Sequence, residues 1–249
     1  VSFIVGLYVR EGLVLASDSR TTYNDVHQVD NVNHHHIAVG MSDSAYKTFV
    51  TKNDVGISTY GTSLINGAPI GGLIRDFVDD ELAPDTPVDE VAKLIQQYFK
   101  TNFEQPLYTG FLVAGYKGKG KEREQQLWDV WVPADAPIRQ NDPSQQGLSW
   151  RGETDVVTRL IQPTYIKNNQ SGEFNPLPYY QIQWAFFTLQ DAVDFAVYAI
   201  ESTIELMRFQ PRPRTVGGPV DVLAITPEGA RWVHRKELGV SRDFYNPFD

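Results

Sequence analysis

Ser2, Asp18 and Arg20 bring a hydroxyl, a carboxylate and a guanidinium into the first twenty residues of the chain. A serine hydroxyl becomes a useful nucleophile when a base takes its proton. A carboxylate and a cation at the end of a buried strand are costly unless they are paired. The elements that must position these groups can be read around them. Residues 3–9 (Phe-Ile-Val-Gly-Leu-Tyr-Val) and residues 13–16 (Leu-Val-Leu-Ala) are short apolar runs on either side of Arg10-Glu11-Gly12. Runs of that length, rich in Val, Ile and Leu, predict strands buried on both faces rather than a helix. Gly12 suits the tight turn of a hairpin. The second strand ends in Ser17-Asp18-Ser19-Arg20, and the hairpin carries this cluster back beside Val1 and Ser2.

Composition narrows the function classes. The chain has 249 residues, of which 41% are hydrophobic. That is enough for one sizeable core, and residues 1–249 read as a single domain because no Gly/Ser-rich or charge-blocked linker divides them. A net charge of −9 argues against a nucleic-acid or anionic-membrane partner, both of which need a basic face. No apolar run reaches the roughly 18 residues of a membrane span. The start lacks the pattern of a signal peptide, and there is no Cys, so a cytoplasmic protein without disulfide or thiol chemistry is expected.

Residues 21–44 read as an irregular polar connection holding His27 and the run His34, His35 and His36. Metal ligands are usually spaced along a turn or a helix, whereas these histidines are adjacent. The run is read as a solvated loop, and no metal is assigned. Residues 49–50 and 55–59 then read as two strands about the turn Lys52-Asn53-Asp54. Ile70, Leu73, Ile74, Phe77 and Val78 follow helical spacing, with Asp79, Asp80 and Glu81 as its solvated end. Thr86-Pro87-Val88-Asp89 reads as a second helix start, with Thr86 as its cap. Val88, Val91, Ala92, Ile95 and Phe99 form its buried face.

Strands are expected over residues 107–116 and 126–132, joined by a charged turn. A polar loop over 133–147, a short helix opening at Gly152 and a loop over 163–180 follow. Thr188 caps a long amphipathic helix with Asp191 three residues on, and Pro211 and Pro213 set its end. Residues 217–225 and 231–234 form the last hairpin, with His234 as a structural residue.

The first hairpin, residues 2–20, resembles that of proteasome β-subunits and their bacterial relatives, the N-terminal-nucleophile (Ntn) hydrolases. Residues 47–61 resemble the family again: a Lys opens a strand, an Asp-containing turn follows and a Gly closes the second strand. The helix, Gly217-Gly218 and final hairpin are similar to its C-terminal half. The resemblance implies Ser2 as nucleophile, Asp18 and Lys47 as its catalytic partners, Arg20 in support, and the backbone at Gly61 as the oxyanion site. It requires no cofactor. The base would be the free α-amino group of Ser2, so Val1 must be removed. Where the family has a Ser and then an Asp and a Ser to orient that amine, this chain has Glu153 and the Pro, Arg and Thr of residues 210–216.

The element order predicts an α+β fold with helices outside two packed antiparallel sheets. The resemblance makes this a four-layer αββα sandwich with insertions near residues 21–46 and 162–187. Three functions remain open: a peptidase acting on peptide or unfolded-protein substrates, a non-catalytic proteasome-like subunit, and a hydrolase of non-peptide amides. The resemblance also implies a ring-like homo-oligomer, with the helices at 70–78 and 88–103 supplying contacts.

Overall fold

A computed structural model describes residues 2–29, 32–118 and 120–237, with the side chains of residues 24–38 and 121 outside that description. The chain opens with β1 (Phe3–Val9) and β2 (Gly12–Ser17), the expected hairpin. The connection read as irregular is instead an antiparallel ribbon of β3 (Thr21–Val29) and β4 (Val32–Ser42). Its sequence lacks the apolar alternation that marks a half-buried strand, so periodicity does not announce it. His27 pairs with His34 in backbone register, and these histidine side chains lie outside the described residues. Next come β5 (Thr48–Val50), β6 (Gly56–Gly61) and the short pair β7 (Leu64–Ile65) and β8 (Ala68–Pro69).

Helix α1 (Ile70–Asp76) runs on into a wider π turn at Phe77–Glu81. Helix α2 (Val88–Asn102) is capped by Pro87, not by Thr86. The Thr86 hydroxyl instead donates to the Ala83 carbonyl at 2.9 Å, back into the preceding turn. Strands β9 (Thr109–Lys117), β10 (Glu124–Trp131), β11 (Ile138–Arg139) and β12 (Gly147–Gly152) follow. Strand β11 lies in what reads as a polar loop, and β12 begins at its end and fills residues 148–151, to which the sequence reading gives no element. Then come α3 (Asp155–Ile161), the exposed ribbon of β13 (Tyr165–Lys167) and β14 (Phe174–Pro176), and α4 (Leu189–Met207). Thr188 caps α4 in a reciprocal capping box with Asp191, as its sequence predicts. Strands β15 (Asp221–Thr226) and β16 (Gly229–His234) close the described chain.

The result is a mixed α/β fold with two five-stranded antiparallel sheets, ordered β12-β1-β2-β15-β16 and β11-β10-β9-β6-β5. Side chains alternate between the faces of a strand, and here both faces are used. Phe3, Val5, Leu7, Val14, Ala16 and Val222 of the first sheet pack with Val157 of α3 and Ala196, Ala199 and Ile200 of α4. The opposite faces of the same strands send Ile4, Leu13, Leu15 and Leu223 against Leu112, Ala114 and Leu127 of the second sheet. On its other face the second sheet meets α1 and α2 through Ile57, Phe111, Val113, Ile74, Val91, Ile95 and Phe99. A fully buried side chain of this size contributes roughly 1.5–3 kcal/mol relative to exposure. This double burial explains why β1 and β2 read as continuous apolar runs. It also fixes register, because a slip of one residue would exchange the two faces.

Candidate active site

The site gathers where β1 and β2 meet the second sheet. Asp18, just past β2, is fully buried. Its Oδ1 accepts from the Phe3 backbone N–H at 2.9 Å and from Lys47 Nζ at 2.6 Å. Its Oδ2 accepts from the backbone N–H groups of Arg20 and Gly217, each at 3.1 Å. The carboxylate is thereby surrounded by donors, which answers the cost of burying it.

Lys47 immediately precedes β5, and its main chain is fixed by the Thr59 N–H donating to its carbonyl at 2.9 Å. Its ammonium also donates to the Arg20 carbonyl at 2.5 Å. Beneath this pair, Thr48 Oγ1 lies 2.8 Å from both Ser17 Oγ and Ser58 Oγ, which ties β2 to β5 and β6. Burial pushes the Lys47 amine below the usual lysine range, while Asp18 pulls it back and Lys236 nearby pushes it down further. Lys236 forms its own ion pair with the buried Asp221. Two buried acid–base pairs therefore stand side by side behind the site.

Ser2 is almost wholly buried, and Lys47 shares the lining of one cleft with it. The Ser2 carbonyl accepts from the Glu153 N–H at 2.9 Å, just past β12. Glu153 in turn pairs with Arg212 at 3.1 Å, and Arg212 reaches Asp155 at the same distance. Gly61 ends β6 with φ of +91° and lines the cleft together with Ser2. A β-carbon there would meet the Tyr108 carbonyl oxygen at 2.4 Å, so the position admits only glycine.

Arg20 does not join the buried pair. Its guanidinium turns away to grip Asp43 through two bonds of 2.6 and 2.7 Å, and it donates to the Arg214 carbonyl at 3.2 Å. These hydrogen bonds hold the Asp43 carboxyl below its usual range. Of the five residues singled out from the sequence, Ser2, Asp18, Lys47 and Gly61 border or underlie one cleft, whereas Arg20 meets this group only through its backbone, whose N–H donates to Asp18 and whose carbonyl accepts from Lys47. Gly152, Gly217, Asp43 and the Glu153 amide were missed. Each acts through main chain or through a distant partner, and neither leaves a mark in sequence spacing. His234 Nδ1 lies 2.6 Å from the Val220 carbonyl oxygen, and the residue does not line the cleft at Ser2.

No family model and no curated relative matches the chain. Solved structures do match. The likeness is to Anbu. The Anbu (Gly-1) mutant from Hyphomicrobium sp. strain MC1 superposes with a TM-score of 0.60 at 14% identity, over 98% of this chain and 90% of that one. Anbu from the same strain gives a TM-score of 0.57 at 14% identity, over 94% of this chain and 88% of that one. At this identity the likeness is one of fold. No described helix is long and apolar enough to cross a membrane, and no group of three or more metal-binding side chains converges among the described residues.

Proposed function

We propose that the chain is a proteasome-like Ntn hydrolase with a four-layer αββα sandwich in one domain, cleaving peptide bonds with Ser2. Anbu is a proteasome-related protein, so the shared fold agrees with the resemblance of residues 2–20 and 47–61. The observation that carries the reading is the pair Asp18–Lys47, joined at 2.6 Å in a fully buried setting next to Ser2. Cleavage of the Val1–Ser2 bond frees the α-amine of Ser2, whose ordinary pKa is about 7.7 to 8.0. That amine takes the Ser2 Oγ proton as Oγ bonds to the substrate carbonyl carbon. Lys47 lowers the proton affinity of hydroxyl and amine together, and Asp18 holds Lys47. The backbone at Gly61 faces the developing oxyanion. Collapse breaks the C–N bond, the amine returns its proton to the leaving nitrogen, and water then hydrolyses the acyl ester. Peptides or unfolded proteins are the substrates, no cofactor takes part, and copies of the chain assemble in a ring in the cytoplasm.

A second reading, a non-catalytic proteasome-like subunit, draws on the Glu153–Arg212 pair. It stands where the resemblance calls for amine-orienting Ser and Asp residues, and the Asp18 network is satisfied without any reaction. One experiment separates the two. Purified protein is taken for intact mass and N-terminal sequence, then treated with an epoxyketone or β-lactone probe. Ser2 as first residue, labelled in the parent and unlabelled in Ser2→Ala, supports the hydrolase. A chain that keeps Val1 and takes no label sinks it.

A further inference from the structure

The cleft continues past Ser2 in two directions. One lobe, about 390 Å³, is walled by Tyr23, Tyr46, Ile70, Gly71 and Arg75. The other, about 680 Å³, is walled by Tyr60, Tyr108 and Trp131, with Tyr60 and Trp131 stacked at 5.6 Å between ring centroids. The lobes differ in charge. The second has no ionised side chain among its described lining residues. The first has Lys47 and Arg75 and no carboxylate among its described lining residues, in a chain with 31 acidic and 22 basic residues.

The two cations are not equivalent. Lys47 is matched by Asp18. Arg75, an exposed residue of α1, has no carboxylate partner among the ion pairs of the described residues. Its guanidinium carbon sits 5.4 Å from the centroid of the Tyr46 ring, a cation–π contact that holds it against the wall of the lobe. The same ring meets Lys236 Nζ at 4.4 Å and Arg235 Cζ at 5.4 Å; Lys236 is matched by Asp221, so the added positive charge behind the wall is that of Arg235.

We propose that the Tyr46–Arg75 lobe receives a carboxylate-bearing side chain, Glu or Asp, next to the bond attacked by Ser2, and that Arg75 is the specificity-determining residue. This rests on the Ser2 hydrolase reading. A planar guanidinium gives a carboxylate two parallel hydrogen bonds. An apolar side chain would desolvate Arg75 without replacing its water, and a basic one would be repelled. The overall charge of −9 does not oppose this, because charges beyond about 8–10 Å are screened at physiological ionic strength.

The test uses three N-acetyl tetrapeptide amides that differ only in a last residue of Glu, Leu or Lys. Binding to the full chain carrying Ser2→Ala is measured by calorimetry. The Glu peptide is expected to bind about tenfold tighter than the Leu peptide, and the Lys peptide weakest. Adding Arg75→Gln should erase the preference, and Arg75→Lys, which keeps the charge but not the two-bond fork, should keep only part of it. The aminocoumarin amides of the same peptides are then given to the processed Ser2 protein, where the same order in kcat/KM is expected. Equal binding of the three peptides, binding of none, or a preference that survives Arg75→Gln overturns the proposal. Cleavage with no charge preference also overturns it and leaves the Ser2 hydrolase standing. An Arg75-dependent binding preference without cleavage or probe labelling supports the lobe and sinks the hydrolase reading.

Discussion

Gly152 lies flush against the Ser2 carbonyl: a β-carbon at Gly152 would sit 1.7 Å from that oxygen. Gly152 ends β12 with φ of +95°, a conformation that costs little only for glycine. The close approach lets the next amide, that of Glu153, hold the same oxygen at 2.9 Å. Gly152→Ala should therefore push the start of β1 away from β12. The expected loss is about 3 kcal/mol or more, from left-handed backbone strain and overpacking together. A shift of Ser2 of about 1 Å should also slow labelling by about 100-fold. Gly172→Ala is the control, since Gly172 has φ of +74° and open space around it. It should cost only about 1 kcal/mol and leave labelling intact. Urea unfolding of both variants, with equal losses, would remove the role given to Gly152.

Stability and chemistry can be separated at Asp18 and Lys47. Asp18→Asn leaves the Lys47 ammonium buried without its counter-charge and turns an amide N–H₂ toward N–H donors. Loss of about 3–5 kcal/mol is expected. Lys47→Met removes one of the four donors to Asp18 and leaves three backbone N–H groups in place, so about 2–3 kcal/mol is expected. The double variant should be more stable than the sum of the two losses implies, because neither charge is then stranded. None of the three should react with the β-lactone probe. Denaturant melts give the coupling, and probe kinetics give the chemistry. Labelling of folded Lys47→Met at the parent rate would end the assignment of Lys47 to catalysis.

How much of this was legible depended on where each group finds its partner. The hairpin of β1 and β2 was plain, because burial on both faces turns each strand into an unbroken apolar run from Phe3 to Leu7 and from Leu13 to Ala16. Helix α4 was plain because Thr188 and Asp191 satisfy each other three residues apart. That Asp18 needs a partner followed from the cost of a carboxylate at a strand end. That the partner is Lys47, 29 residues away, came only through resemblance. Strand β12, Gly-Leu-Ser-Trp-Arg-Gly, was hidden because it is an edge strand with a polar face. Its Arg151 is held by Asp129 at 2.7 Å and by Gln140 at 2.9 Å, contacts made across the fold. Thr86 had the type and spacing of a helix cap, yet the preceding turn claimed its hydroxyl.

Arg20 and Asp43 should make the start of β3 sensitive to acid. The Asp43 carboxyl is held below its usual range by two hydrogen bonds from Arg20, against an opposing effect of burial. A carboxyl depressed in the folded state contributes stability that is fully present above its unfolded pKa, about 3.9, and is lost as pH falls through the lower folded value. Parent protein should therefore lose stability more steeply than Asp43→Asn below about pH 4. Near pH 7 the two should differ by no more than about 1 kcal/mol, because Asp43 is half exposed and solvent screens the pair. In 1 M salt, where the screening length falls to about 3 Å, the difference should shrink further. The consequence reaches the site because the Arg20 carbonyl accepts from Lys47 Nζ. Releasing the Arg20 side chain should lower probe labelling of Ser2 more than it lowers the melting temperature. Denaturant midpoints measured from pH 3 to pH 7 for both proteins, with parallel acid limbs, would show that Asp43 carries no folded-state shift and that Arg20 is held by its other contacts alone.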